Sequence, residues 1–150
     1  MTSTFSEIED KVHLRVVKWL NIVLPAAHLL HHSPNEGNRH INFKTKLRKM
    51  GTQSGWPDLE LFVDEHCFLP GVKAAPIFIE LKRTKGGRLS DNQKALADKF
   101  AALDCHWFCC NSARSVRSAL IDLIALHESD ESDALLESDD GSGKRPVRPG

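Results

Sequence analysis

The stretch that most constrains this chain is "PIFIELK", residues 76–82. It is an apolar run of strand length and strand-like composition. Glu80 and Lys82 interrupt it, and a carboxylate or ammonium buried without a partner costs several kcal/mol. Either the strand ends here and both groups reach water, or they meet something that needs them. On a strand, residues i and i+2 share a face, roughly 7 Å apart. Ile77, Ile79 and Leu81 therefore line one face, while Phe78, Glu80 and Lys82 line the other. The first set satisfies a core and leaves Glu80 and Lys82 to project together at the strand's end. Taken alone, such a pair reads as an exposed ion pair.

The segments around this strand set the fold class. Ile8, Val12, Val16, Trp19, Leu20 and Val23 recur at helical spacing over residues 6–23. Ser6 is placed to cap that helix, Glu9 stands at the capping-box offset and Pro25 stops it. "AHLLHHS" reads as a short strand followed by the turn "SPNEGN", and residues 39–50 form a basic, helical segment ended by Gly51. "PDLELFV" (57–63) is strand-like, and a loop broken by Pro70-Gly71 separates it from "PIFIELK". Ser90 and Gln93 then give a capping-box pattern for a helix carrying Ala95, Leu96, Phe100 and Leu103. "CHWFCC" (105–110) is a further strand and residues 112–126 an amphipathic helix capped by Ser112. The order is helix, strand, helix, strand, strand, helix, strand, helix. That order predicts an α/β fold in which a central mixed sheet of about four strands is flanked by helices.

The net charge of zero conceals an uneven distribution. Residues 127–150 hold 7 acidic and 3 basic residues; subtracting these from the 20 of each leaves 17 basic and 13 acidic residues over 1–126, a net of +4. A basic body is compatible with nucleic acid, though +4 is weak support. The tail from residue 128 has too little apolar content to pack, so 1–127 is expected to fold and 128–150 to be an acidic tail without structure. That tail reads as a solubilising segment or as a nucleic-acid mimic shielding the basic face. With 41% apolar and 27% charged residues the composition is that of a globular protein, and no apolar run approaches the roughly 18–20 residues of a membrane span. The polar start "MTSTFSEIED" is wrong for a secretory or transit signal, which predicts a cytoplasmic protein. The four cysteines contain no C-x-x-C and read as buried thiols rather than a disulfide framework. His106 and Cys109 lack a second pair at zinc-ligand spacing.

"GWPDLEL" upstream changes the reading of Glu80. Gly55 and Pro57 fix a turn, and Asp58 sits at the start of the strand that follows. If that strand neighbours the one carrying Glu80, the two carboxylates converge. Paired carboxylate oxygens, with water completing the sphere, are what Mg²⁺ or Mn²⁺ takes. Lys82 beside such an ion can orient an attacking water or stabilise charge on a phosphoryl oxygen.

The P-D…E-x-K pattern resembles the PD-(D/E)XK nuclease superfamily, whose core resembles that of restriction endonucleases. More closely, the chain resembles its VRR-NUC branch from about residue 9 to 126. Beyond Asp58, Glu80 and Lys82, the resemblance runs through "IEDKVHLRVVKWL", "HHSPNEGNR", "KLRKMGTQSGWPDLELF", "FIELKRTKGGRLSDNQKALADKFAAL" and "SVRSALIDL". It implies Asp58 and Glu80 as metal ligands with the backbone carbonyl of Leu81, and Lys82 as the catalytic lysine. It also implies Glu9 as an acid completing the site and Gln93 as a glutamine near it. Their plainer readings, as capping-box residues of their own helices, stay open. His13 matches a first-helix histidine and equally reads as a half-exposed helix residue, so it is left out of the catalytic set.

Substrate contacts are expected from Asn35, Arg39, Lys44, Lys46, Arg48 and Lys49 before the motif and from Arg83, Lys85 and Arg88 after it. Basic clusters on both sides of a metal site suit phosphodiester backbones, which position without reading sequence. The plainer alternative is a solvated basic face. The resemblance implies a metal-dependent DNA endonuclease leaving 5′-phosphate and 3′-hydroxyl ends, in a bacterial cytoplasm whether host- or phage-encoded. A small domain with one site needs a second copy to cut two strands, which favours a homodimeric Holliday junction resolvase acting on branched DNA. The alternatives are a monomeric flap or general structure-selective nuclease, and a DNA-binding module without catalysis.

Overall fold

The computed structural model describes residues 5–34, 41–83, 87–137 and 147–148. Its elements are α1 (Phe5–Val23), β1 (His28–His32), α2 (Ile41–Lys49), β2 (Leu59–Val63), a short 3-10 helix (Glu65–Cys67), β3 (Ile77–Leu81), α3 (Asp91–Ala102), β4 (His106–Cys110), α4 (Ala113–Leu120) and α5 (Asp130–Glu137). The strands form one sheet in the order β1-β2-β3-β4. The β1–β2 and β2–β3 pairs are antiparallel and β3–β4 is parallel. The expected mixed four-stranded sheet with flanking helices is the one observed. Among the described residues no helix is long and apolar enough to cross a membrane.

Strand alternation divides the interior in two. Leu59, Leu61, Ile77, Ile79, Leu81, Phe108 and Cys110 pack with Val16, Trp19, Leu20 and Val23 of α1 and with Val116, Ala119 and Leu120 of α4. On the other side Phe78 and Trp107 meet Leu96, Ala97 and Phe100 of α3, with Trp56 against them. Of the apolar stripe expected for the first helix, Val16, Trp19, Leu20 and Val23 are buried and Val12 packs against them. Every residue of β3 is buried, because both of its neighbours are strands and both of its faces are covered.

Four expectations need correction. The first helix begins at Phe5, so Ser6 is a residue of the helix and not the one that precedes it. The loop between β2 and β3 holds a 3-10 turn, with the Asp64 side chain accepting from His66 N. The helix expected over 112–126 stops at Leu120. Beyond it the backbone pairs with the β2–β3 connection instead: Leu69 N donates to Leu123 O at 2.8 Å and Ala125 N to Cys67 O at 3.0 Å.

The fourth concerns the acidic segment. Residues 130–137, expected to lack structure, form α5, and Leu136 joins the larger core. Three contacts explain it. Ser129 and Ser132 exchange side-chain-to-backbone hydrogen bonds across the first turn. Asp130, Glu131 and Asp133 favour the positive end of the helix. Arg114 Nε donates to Leu136 O at the last turn, 2.9 Å. Further along, Val147 exchanges two 3.0 Å backbone hydrogen bonds with Cys109 on the outer edge of β4.

Candidate active site

The antiparallel register sets Leu59 opposite Ile79, which brings Asp58 opposite Glu80 at the end of the β2–β3 ladder. The turn entering β2 is built for that delivery. Gly55 has φ +81°, and a Cβ there would lie 2.8 Å from Asn92 C and Gln93 N. Only glycine lets this turn lean on the first turn of α3, where Asn92 Nδ2 also donates to Ser54 Oγ. Trp56 stands edge-on to Phe78 and Phe100, and its indole donates to Glu60 Oε1 at 2.7 Å.

Asp58 is held from two strands. Its Oδ2 accepts from Leu81 N at 2.7 Å, while its carbonyl accepts from Ser33 N at 3.1 Å and His32 Nδ1 at 2.8 Å. Glu80 is only 4% exposed, so it neither reaches water freely nor stands alone. Its Oε1 accepts from Gln93 Nε2 at 2.7 Å and lies 3.4 Å from Lys82 Nζ. Burial, and next the Asp58 carboxylate, push the Glu80 carboxyl up to about 8, with Lys82 opposing. Beside Glu80 on β4, burial foremost pushes the Cys109 thiol up to about 11, with the Glu80 carboxylate adding to it.

Gln93 caps its helix and contacts Glu80 at the same time. Its Oε1 accepts from Ser90 N at 2.8 Å and its N–H donates to Ser90 Oγ, completing the capping box of α3. With Oε1 committed to the cap, the amide nitrogen is the atom that faces Glu80. Leu81 sends its side chain into the core, so its main chain is what it offers the site. Lys82 N donates to Cys110 O at 2.8 Å. A Cβ on Gly87 would lie 2.8 Å from Lys82 Cβ, so the returning chain packs directly on the lysine.

Asp58, Glu80, Leu81, Lys82 and Gln93 are therefore brought together. Glu9 is half-buried on α1, one turn before His13, and among the described residues it has no hydrogen bond or ion pair to Asp58, Glu80 or Lys82. Of the expected substrate residues, Lys44 is half-buried on α2 while Lys46, Arg48 and Lys49 are exposed there. Arg83 is half-buried directly after Lys82, and Arg88 is exposed. Asn35, Arg39 and Lys85 lie outside the described residues.

Sequence reasoning left His13 out of the site and missed His32. The His13 and His32 rings meet edge-on with centroids 4.4 Å apart. Burial holds the His13 imidazole below its ordinary value, His32 adds to this, and Asp58 and Asp10 oppose it. Nothing in "HHS" announces this; only the pairing of His32 with Leu59 puts it beside Asp58.

The donor chemistry fits a hard divalent cation. The Asp58 carboxylate adds to the raised proton affinity of the buried Glu80, and a cation between the two groups relieves that repulsion. Among the described residues no group of three or more His, Cys, Asp or Glu side chains is arranged to hold a metal. Two carboxylates plus main-chain and water oxygens suit Mg²⁺ or Mn²⁺ rather than an all-protein cage.

The VRR-NUC domain profile matches residues 5–114, from the start of α1 into α4. The chain belongs to the VRR-NUC family. That family membership makes it a nuclease domain, with nucleic acid as its binding partner. A solved VRR-NUC domain protein is similar in fold, with a TM-score of 0.60 and 21% identity over 81% of this chain and 88% of that one. No curated protein matches the chain. All five residues brought together at the site fall within the VRR-NUC match, whereas α5 lies outside it.

Proposed function

We propose that this VRR-NUC protein is a divalent-metal-dependent DNA endonuclease that acts as a homodimer on four-way junctions. One observation carries the reading: the β2–β3 register, extended by one residue, sets Asp58 opposite Glu80, with Lys82 Nζ 3.4 Å from Glu80 Oε1. Asp58, Glu80 and the main chain of Leu81 are the residues that would hold Mg²⁺ or Mn²⁺. When bound, the ion supplies Lewis-acid stabilisation of charge on the phosphoryl oxygens.

The chain's own groups do the rest. Gln93 fixes one Glu80 oxygen and so sets where the other points. Lys82 balances Glu80 and presents an ammonium able to orient the attacking water and stabilise charge on phosphate. Glu9 of α1 would complete the site through a water or a second metal. Water adds to phosphorus in line with the 3′ oxygen, which leaves, giving 5′-phosphate and 3′-hydroxyl ends. Lys44, Lys46, Arg48 and Lys49 of α2, together with Asn35 and Arg39, would contact phosphates on one side; Arg83, Lys85 and Arg88 would do so on the other. One site per chain cuts one strand, and a two-fold dimer supplies the second.

The test is cleavage of a labelled four-way junction in Mg²⁺ or Mn²⁺ beside matched 5′-flap and linear duplex substrates, with Glu80→Ala as blank. Paired symmetric nicks on the junction, and gel filtration at twice the chain mass, are expected. Cutting of the flap alone would leave the chemistry and remove the junction claim. Metal-dependent cutting of no substrate would leave a DNA-binding module.

A further inference from the structure

Asp58 stands just ahead of the β2 ladder, which begins with the pairing of Leu59 to His32 and Ile79. Its side chain is tied to β3 through Leu81 N, yet that contact is only as good as the placement of the main chain behind it. The end of β1 provides that placement. A carbonyl only accepts, so the 2.8 Å contact between His32 Nδ1 and Asp58 O fixes the proton on Nδ1. Ser33 N donates to the same carbonyl, and Ser33 Oγ donates to Glu60 Oε1, which also takes the Trp56 indole. The residues two before and two after Asp58 are thus joined to each other, and one is joined to β1. His13 of α1 packs edge-on against the His32 ring and limits its rotation.

We propose that His32 is a positioning residue which, through its Nδ1–H, holds the Asp58 main chain so that the carboxylate sits at the cation site. This rests on the reading of Asp58 as a metal ligand, but it acts on a contact that exists without metal. Partners that orient a ligand from behind change metal affinity by about 10–100-fold when removed. His32 is exposed and outside both cores, so its loss should leave the fold intact.

The experiment compares the full-length protein with His32→Ala and His32→Asn, whose amide nitrogen sits on Cγ where the imidazole Nδ1 does. Amide hydrogen exchange is read without metal at Leu81, whose N–H reports the Asp58 carboxylate, against Ile77 and Ile79 inside β3. Mn²⁺ affinity is read separately by thermal shift. In His32→Ala the Leu81 amide should exchange about tenfold faster while Ile77 and Ile79 keep their rates, and Mn²⁺ should bind about tenfold more weakly. His32→Asn should restore both. An unchanged Leu81 rate in His32→Ala overturns the proposal, as does a His32→Asn that behaves like His32→Ala. A wild-type protein that binds no Mn²⁺ sinks the metal reading instead, and the exchange comparison still decides the role of His32.

Discussion

The two faces of β3 are both buried and behave differently. One face carries Ile77, Ile79 and Leu81 into the larger hydrophobic core. The other begins as core, with Phe78 stacked on Phe100 at 4.1 Å, and two residues later becomes a charged site at Glu80. The transition needs no change of backbone, only a change in the side chain that α3 lays over the strand, from Phe100 to Gln93. Gln93 and Lys82 replace apolar neighbours with polar ones there. The first face shows burial as stability; the second shows burial used to raise a carboxyl's proton affinity.

The contrast breaks most readily on the apolar side. Ile79→Ala leaves a cavity at a fully buried position and should cost about 2–5 kcal/mol in urea unfolding. Cleavage by the surviving folded fraction should be near normal. Glu80→Gln should do the reverse, lowering cleavage by about 10²–10³-fold while leaving metal-free stability equal or higher. The sign of its pH dependence follows from the raised carboxyl. Between the ordinary value of 4.5 and about 8, the folded state holds a proton that the unfolded state has released. Metal-free stability should therefore fall as pH rises through that window, by at most ~1.4 kcal/mol per pH unit from this group. The slope should vanish in Glu80→Gln, which a pH series of unfolding curves checks.

Gln93→Ala tests the junction between the faces. It removes the side-chain half of the capping box, for about 1 kcal/mol or less, and frees a Glu80 oxygen. A drop in kcat larger than that stability loss accounts for would separate orientation of Glu80 from helix capping. The smallest effect belongs to the far side. Arg117 pairs with Glu128, and its side-chain hydrogen bond, more than the opposing burial, lowers the Glu128 carboxyl. Both groups are more than a third exposed, so Arg117→Ala should cost less than ~1 kcal/mol. That contribution is present above the unfolded value of Glu128 and fades as pH falls through the folded one, with cleavage unaffected.

Local pattern made much of this legible. The Ser90–Gln93 offset identified the start of α3 because a cap is a contact between residues three apart. Alternation in β3 separated its two faces because the strand period is two. The P-D and E-x-K elements singled out Asp58, Glu80 and Lys82 through their resemblance to the family pattern, and the structure brings the three together. The acidic segment was misread for the opposite reason. Ala134, Leu135 and Leu136 are too few to signal a helix, and what holds α5 is Leu136 in the larger core and Arg114 on its last carbonyl.

The sequence by itself determined the order of the elements through α4 and the two-faced strand, since each rests on neighbours a few residues apart. Tertiary structure alone decided that Asp58 stands opposite Glu80, that Gln93 serves cap and carboxylate together, and that His32 and His13 stand behind Asp58. Those contacts join residues from 13 to 26 positions apart, as in Gln93 with Glu80 and His32 with Asp58. Register and packing set such distances, and no local pattern of side chains encodes them.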